Sequence, residues 1–234
     1  MLIIGEKSMN EFEINLDKNS SILGENISIN GYVKGIDNII KIGKSDHPSK
    51  INITVNGNNN NIIIKDSVAL KGLTIRIGNH TPANNCTLII DSGFSIEGGG
   101  GRFLLDNHNN KLIIGNNCLF SNSITIRCGD SPHLIFNKKT GEYLDHSDGV
   151  FIGNHVWIGE KVYITKKTSI PSESIVAACS VVTKRFYEPH VVLAGNPAKE
   201  VRKDIQWIRN KKFIQKNSKY DVGFNQYLQE VGAE

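Results

Sequence analysis

The sequence is short of large rings. Only 7% of its 234 residues are aromatic, and two of those are tryptophan, too few to fill a broad globular core in the usual way. No stretch approaches the roughly 18–20 unbroken apolar residues of a helical membrane span. The opening MLIIGEKSMNEFEINL lacks a basic leader followed by a long apolar stretch, so no secretory signal is expected. Four cysteines, Cys86, Cys118, Cys128 and Cys179, are scattered without C-x-x-C pairs or metal-ligand spacing. That pattern points to a reduced, cytoplasmic protein without a metal site. Charge is nearly balanced, 27 basic residues against 23 acidic, for a net +4. Much of the excess lies near the end, at Lys199, Arg202, Lys203, Arg209, Lys211, Lys212, Lys216 and Lys219. Without aromatic or motif support this is no nucleic-acid footprint. A local basic region suits a small phosphorylated ligand better.

Isoleucine and asparagine are abundant, each more than a tenth of the chain. The branched Cβ of Ile favours extended backbone. Asn tolerates left-handed turns and bonds its own backbone. A chain rich in both should be strands punctuated by turns, with little helix. A repeat bears this out. Six-residue steps from Ile152 land on Ile158, Ile164, Ile170, Val176 and Val182, all β-branched aliphatics. Four residues after the first five stops come Val156, Val162, Thr168, Ser174 and Ser180, small or β-branched. The same register recurs at Ile114, Phe120 and Ile126, and at Ile90 and Ile96, where Gly98 to Gly101 interrupt it with a loop. It fits less tightly at Leu23 with Ile29, Ile36 with Ile42, and Ile62 to Ile64 with Leu70.

Neither a helix nor a flat strand repeats every six residues. One short strand plus one corner does, with an aliphatic side chain turned inward on each. Three such units make a triangular coil of about 18 residues, and coils stack at roughly 4.8 Å, the ordinary strand spacing. The expected architecture is all-β, a parallel β-helix whose interior is a narrow column of Ile, Val and small residues. The predicted organisation is a cap segment over residues 1–21, the prism over 22–199, and a helical tail over 200–234. In that tail Val201, Ile205, Ile208 and Ile214, with Trp207, read as a short amphipathic helix after Gly195-Asn196-Pro197. A non-repetitive stretch from about Gly129 to Gly149 leaves the coils as an inserted loop, a common place for function.

The run IGNHVWIGEKVYITKKTSIPSESIVAACSVVTK, with the ending VVLAGNPAKEV, resembles the hexapeptide-repeat acyltransferases. The segment SPHLIFNKKTGEYLDHSDGVFIGNHVWIG, followed later by DIQW, is similar to the bacterial O-acetyltransferases of capsule and lipopolysaccharide sugars, those of sialic acid included. The resemblance implies a left-handed parallel β-helix, a homotrimer with active sites between neighbouring prisms, acetyl-CoA as co-substrate and a carbohydrate acceptor. The stretch Asp130-Ser131-Pro132-His133 departs by one residue from the commoner Asp-x-His form, which leaves open what orients the ring.

Acetyl transfer from a thioester to a sugar hydroxyl needs a base, an oxyanion donor and alignment. An imidazole titrates near neutrality and suits the base. No Gly-x-Ser-x-Gly elbow supports an acyl-serine route, so direct transfer is the simpler mechanism. His133, where the loop leaves the prism and the motif matches, is the candidate base. Trp157 stands at an outward position and offers a stacking surface, a guard for the thioester, or a backbone N–H facing the oxyanion. His146 and His155 are candidates for touching the acceptor. Small Gly159 and the Ala177-Ala178 pair let a pantetheine arm lie along the coils. The resemblance puts Lys184, Arg185 and Lys199 near the CoA phosphates. Three other readings stay open: N-acetylation of an amino sugar on the same scaffold, a zinc carbonic anhydrase using His80, His108 and His133, and a non-catalytic trimeric prism.

Overall fold

The structure is a computed structural model that describes residues 25–233, together with the strand pairing of Phe12–Ile14 and Ser21–Ile22. Most of the cap segment expected over residues 1–21, and Leu23, lie outside the described residues. Among the described residues the strands of the prism pair in parallel, and only the last of them, Lys199–Arg202, runs antiparallel to its neighbour Val192–Ala194. Each turn of the chain visits three faces in order. In the tightest coil Val150–Ile152 lies on face one, Trp157–Ile158 on face two and Tyr163–Ile164 on face three. Thr168–Ile170, Ile175–Val176 and Val181–Val182 then stack on the same three faces, 18 residues further on.

The six-step residues all point inward. Ile152, Ile158, Ile164, Ile170, Val176 and Val182 are buried, as are Val156, Val162, Thr168, Ser174 and Ser180 four positions on. Full burial of such an aliphatic contributes roughly 1.5–3 kcal/mol. Three residues after each of the first five stops the backbone turns left-handed, at His155, Lys161, Lys167, Glu173 and Cys179, with φ between 51° and 60°. That conformation is unfavourable for a residue with a Cβ. Hydrogen bonds to the neighbouring coil offset it: His155 donates to the Asn116 carbonyl at 2.7 Å, and Cys179 to that of Glu160 at 2.8 Å. Upstream, Asn59, Asn85, Asn109 and Asn117 fill left-handed corners. Buried Asn38 and Asn60 form a ladder, with Asn60 Nδ2 donating to Asn38 Oδ1 at 2.9 Å and Cys86 N to Asn60 Oδ1 at 2.8 Å. The wealth of asparagine is a wealth of corners.

The weak upstream register has a simple cause. The early coils are longer: Ile39 pairs with Asn61, 22 residues on, and Thr87 with Lys111, 24 residues on. Strands of eight or nine residues, Ile27–Lys34, Ser49–Asn56 and Ala69–Ile77, replace short ones there. Ile36, taken as part of the beat, is 67% exposed, whereas Ile42 is buried. The interior is also not purely aliphatic. Phe94, Phe103 and Phe120 are fully buried and meet edge to face at 4.9–6.5 Å. Cys86, Cys118 and Cys128 are buried in the same column.

The tail departs from the expected helix at Val201 to Ile214. Lys199–Arg202 instead pairs antiparallel with the edge strand Val192–Ala194. Asp204 then takes a left-handed φ of 56°, and Ile205 N donates to the His190 carbonyl at 3.0 Å. The apolar spacing there serves this edge pairing and the burial of Trp207. A helix does follow, later, at Lys219–Glu230, capped by the Ser218 hydroxyl accepting from Asp221 N. Replacing Ile164 by Ala should destabilise the protein by about 2–5 kcal/mol, and Ile36→Ala by no more than about 0.5 kcal/mol. Denaturant unfolding of both variants at one protein concentration checks the contrast.

Candidate functional site

The inserted loop leaves face three after Ile124–Arg127 and returns to face one at Val150–Ile152, so it projects from the edge between those faces. Its middle is a small hairpin in which Phe136 bridges Tyr143 with rings 5.5 Å apart. His133 sits exposed on the outgoing limb, its N–H donating to the Asp130 carbonyl at 3.3 Å. The next residues, Leu134, Ile135 and Phe136, are also exposed. His146, on the returning limb, meets the Tyr143 ring edge-on at 5.2 Å.

Both limbs are tied to the prism through one buried carboxylate, Asp145. It accepts from Asn107 Nδ2 at 2.8 Å and from the Asp130 N–H at 3.0 Å, and it pairs with the Lys166 ammonium. Lys166 also reaches Asp130 at 2.7 Å, and Asn107 Oδ1 accepts from Ser131 N at 3.0 Å. Two residues before His133, the Ser131 hydroxyl meets that of Thr81 at 2.9 Å. The peptide before the histidine is thereby held from several sides. Burial alone would raise the Asp145 carboxyl, but Lys166, the Asp130 N–H and Asn107 outweigh it and hold the group below the ordinary carboxylate value of 3.8. Asp148, beside the end of the loop, is held low chiefly by its bond to Arg185.

Face two carries the second half of the candidate set. Trp157 is 37% exposed, and its indole N–H lies 3.5 Å from the Ser121 hydroxyl. Its backbone N–H donates to the Ser174 carbonyl at 3.0 Å within the coil ladder. The idea that this N–H serves the oxyanion is corrected by that bond, because a donor already committed to the ladder is not free. Trp207 covers the adjoining edge, stacked on His155 at 4.0 Å with 11° between planes and donating to the His155 carbonyl at 2.8 Å. His155 Nδ1 bonds Glu173 at 2.6 Å. Its ring is held by structure on two sides.

The residues expected to touch CoA fall into two groups. Gly159, Ala177 and Ala178 line the edge between faces two and three, with Lys199 on the last strand of face two. A Cβ at Gly159 would stand 2.6 Å from Ala178 N and 2.9 Å from the Val176 carbonyl, so only glycine lets these coils close up. Lys184 and Arg185 lie at the other edge, next to the loop. Lys184 lies over the Phe186 ring at 5.1 Å, and Arg185 is bound to Asp148. His108, one of the three residues of the carbonic anhydrase reading, accepts from Asn84 N at Nδ1, 3.1 Å away. Among the described residues no group of three or more His, Cys, Asp or Glu side chains could hold a metal ion. Cys86 and Cys118 are pushed up to about 12 by burial, and Cys128 is raised by it as well, so none of the three is an activated thiol.

Within one chain His133 and Trp157 do not meet. The loop springs from the edge between faces three and one, and Trp157 stands on face two, opposite that edge. The anchors Asn107, Asp145 and Lys166 were not legible as site residues. Their contacts join the loop to two coils, and Lys166 sits in an ordinary Lys-Lys pair. Asp145 was visible only as one acid of a polar loop.

A six-residue beat wound into parallel coils with a loop at one edge is the hexapeptide-repeat acyltransferase fold, and its winding is left-handed. No family model matches the sequence. Among individual proteins the chain is similar to bacterial polysialic acid O-acetyltransferases. It is 34% identical over 139 residues to that of Neisseria meningitidis and 28% over 153 residues to that of Escherichia coli O1:K1. These matches cover 53% and 65% of this chain, but less than two thirds of the curated relatives, 64% and 44% of their lengths. The solved polysialic acid O-acetyltransferase OatWY superposes with a TM-score of 0.64 at 29% identity, covering 86% of this chain and 95% of that one. The polySia-specific acetyltransferase NeuO shares the fold, with a TM-score of 0.63 at 24% identity over 93% of this chain and 97% of that one.

Asp145→Asn keeps the shape of the anchor and removes its charge. It should make the 129–149 loop the first site of protease cleavage while the prism stays folded, which limited proteolysis with mass spectrometry checks. In the unaltered protein the anchoring is fully present above pH 3.8, because the folded-state value is depressed, and is lost as pH falls below it. Hydrogen exchange of the loop, followed from pH 5 downward to well below 3.8, reads that change.

Proposed function

We propose that the protein transfers an acetyl group from acetyl-CoA directly to a hydroxyl of a sialic-acid-containing surface glycan, with His133 as general base. The observation that carries this reading is the likeness in sequence and fold to polysialic acid O-acetyltransferases, together with a His133 loop rigidly anchored at a prism edge. A neutral imidazole of His133 takes the proton of the acceptor hydroxyl as the oxygen attacks the thioester carbonyl. The new C–O bond forms, the tetrahedral centre collapses, the C–S bond breaks, and the CoA sulfur leaves with the proton returned by the imidazolium. General-base assistance of this kind is worth about 10²–10⁴-fold.

The working unit in this reading is a homotrimer. Leu134, Ile135 and Phe136 are 44–65% exposed beside His133, an apolar tip that a second copy would cover. Each cleft then combines His133 of one copy with Trp157 of the next, which explains why one chain keeps them apart. Trp157 supplies a flat apolar wall for the acceptor or thioester. Gly159, Ala177 and Ala178 leave a shallow track for the pantetheine arm, and Lys184, Arg185 and Lys199 offer cations to the CoA phosphates. His146 and His155 stand as candidate acceptor contacts. A reduced, cytoplasmic setting fits the use of acetyl-CoA and the free cysteines.

The test is thiol release from acetyl-CoA with polymeric and monomeric sialic acid, other glycans and amino sugars. Acetylation of a sialoside hydroxyl is expected. Release with amines alone would favour N-acetylation instead. His133→Ala should lower kcat by at least 100-fold with the oligomer and CoA binding kept; near-normal turnover would refute the base. Mixing inactive His133→Ala and Trp157→Ala subunits by co-expression should restore part of the activity, because some clefts then hold both native side chains. Mixtures as inactive as their parents would argue against a shared cleft.

A further inference from the structure

The helix of the tail leaves an apolar stripe open. No residue of Lys219–Glu230 is buried. Tyr220, Phe224, Tyr227, Leu228 and the cap residue Val231 follow one another at steps of four, three, one and three. That spacing puts their side chains on one face of a helix. Such a face ordinarily packs on a core. Here Tyr220 is 39% exposed, Tyr227 and Val231 53% each, and Phe224 and Leu228 are half-buried.

Cations gather on the same stripe. Between Asp204 and Asp221 the chain carries Arg209, Lys211, Lys212, Lys216 and Lys219 and no acidic residue. None of the five forms an ion pair among the described residues. The Lys211 ammonium lies over the Phe224 ring at 5.6 Å, and that of Lys219 over the Tyr220 ring at 5.1 Å. Charge and aromatic surface therefore form one patch. The two acids of the helix are engaged along it: Asp221 accepts from Asn217 N at 2.9 Å, and Glu230 from Gln226 Nε2 at 3.3 Å.

Possible occupants differ in what they leave unsatisfied. A second copy presenting this same patch would set like charges against each other. An acidic polymer would engage the ammoniums but leave Leu228 and Val231 bare. An anionic lipid surface satisfies both halves, because headgroup phosphates take the cations and the interface takes Tyr, Phe and aliphatic side chains. Twelve residues span about 18 Å, well short of a hydrocarbon core of ~30 Å. Among the described residues no helix is long and apolar enough to cross a membrane.

We propose that the segment from Arg209 to Val231 is a peripheral membrane-binding surface that holds the protein against an anionic bilayer, its helix lying in the headgroup plane. Lys211, Lys212, Lys216 and Lys219 meet lipid phosphates, and the stripe from Tyr220 to Val231 dips towards the acyl chains. The proposal stands apart from the acetyl-transfer reading, since no residue of that site takes part.

The full-length protein is floated with vesicles of phosphatidylcholine alone and of phosphatidylcholine mixed with phosphatidylglycerol. Binding to the mixed vesicles only is expected, weaker as salt is raised. A fourfold variant (Lys211→Gln, Lys212→Gln, Lys216→Gln and Lys219→Gln) and a double variant (Phe224→Gln and Tyr227→Gln) should each weaken it at least tenfold. None of these side chains is buried, so circular dichroism of the prism should be unchanged. On mixed vesicles, hydrogen exchange should slow across residues 219–230. Equal binding to both vesicle types, or to neither, would overturn the proposal. A double variant that binds like wild type would overturn it in favour of a polyanion patch. A double variant with a smaller oligomeric state in solution would do so in favour of an interface between copies.

Discussion

At corner after corner of the described prism one residue bends the backbone left-handed, and at His155, Lys161, Glu173 and Cys179 its N–H is caught by the preceding coil. Without that bond the corner is unfavourable, and without the corner the next aliphatic would miss the column. The rest of the molecule depends on this pairing of strained turn and inter-coil hydrogen bond. It lets residues as different as His155, Lys161 and Glu173 occupy equivalent positions, because the backbone alone makes the contact. Side chains at corners are consequently free to vary, and the variation is where the surface acquires its chemistry.

The C-terminal half of the fold was legible because its coils are minimal. From Ile152 to Val182 one strand and one corner consume six residues, and the inward set could be read directly. Further upstream the same architecture hides, since 22- to 24-residue coils keep the ladder while stretching the spacing. Period alone does not describe such coils; the Asn-rich corners do. The tail misled for a related reason. Val201, Ile205 and Ile208 match a helical spacing, yet an edge strand needed a partner and Trp207 needed a place to bury its ring.

The candidate site divides along the same line. His133 and Trp157 were visible because each sits at a conspicuous point, one at the exit of a loop and the other outward on a regular hexad. The residues that hold the loop were not visible. Asp145 lies in the inserted loop and Lys166 and Asn107 in two different coils, and the three converge only because the strands stack in register. A buried carboxylate facing an ammonium, a backbone N–H and a side-chain amide has little freedom to move, and the histidine two residues from Ser131 inherits that rigidity. The edge loop is thus a rigid projection, and its exposed apolar tip is the part left for another surface to complete.

The buried thiols carry a practical consequence. The sulfur of Cys86 is 3.1 Å from the carbonyl of Asn107, and that of Cys118 is 3.2 Å from that of Gly153, so each donates into the adjacent turn. A thiol held this way reacts with an alkylating reagent only after its own turn peels from the next. Cys179, already exposed, gives the baseline of instantaneous labelling. Placed at different heights of the column, the native cysteines act as built-in clocks, and the order in which they are modified under mild stress reports from which end the stack frays.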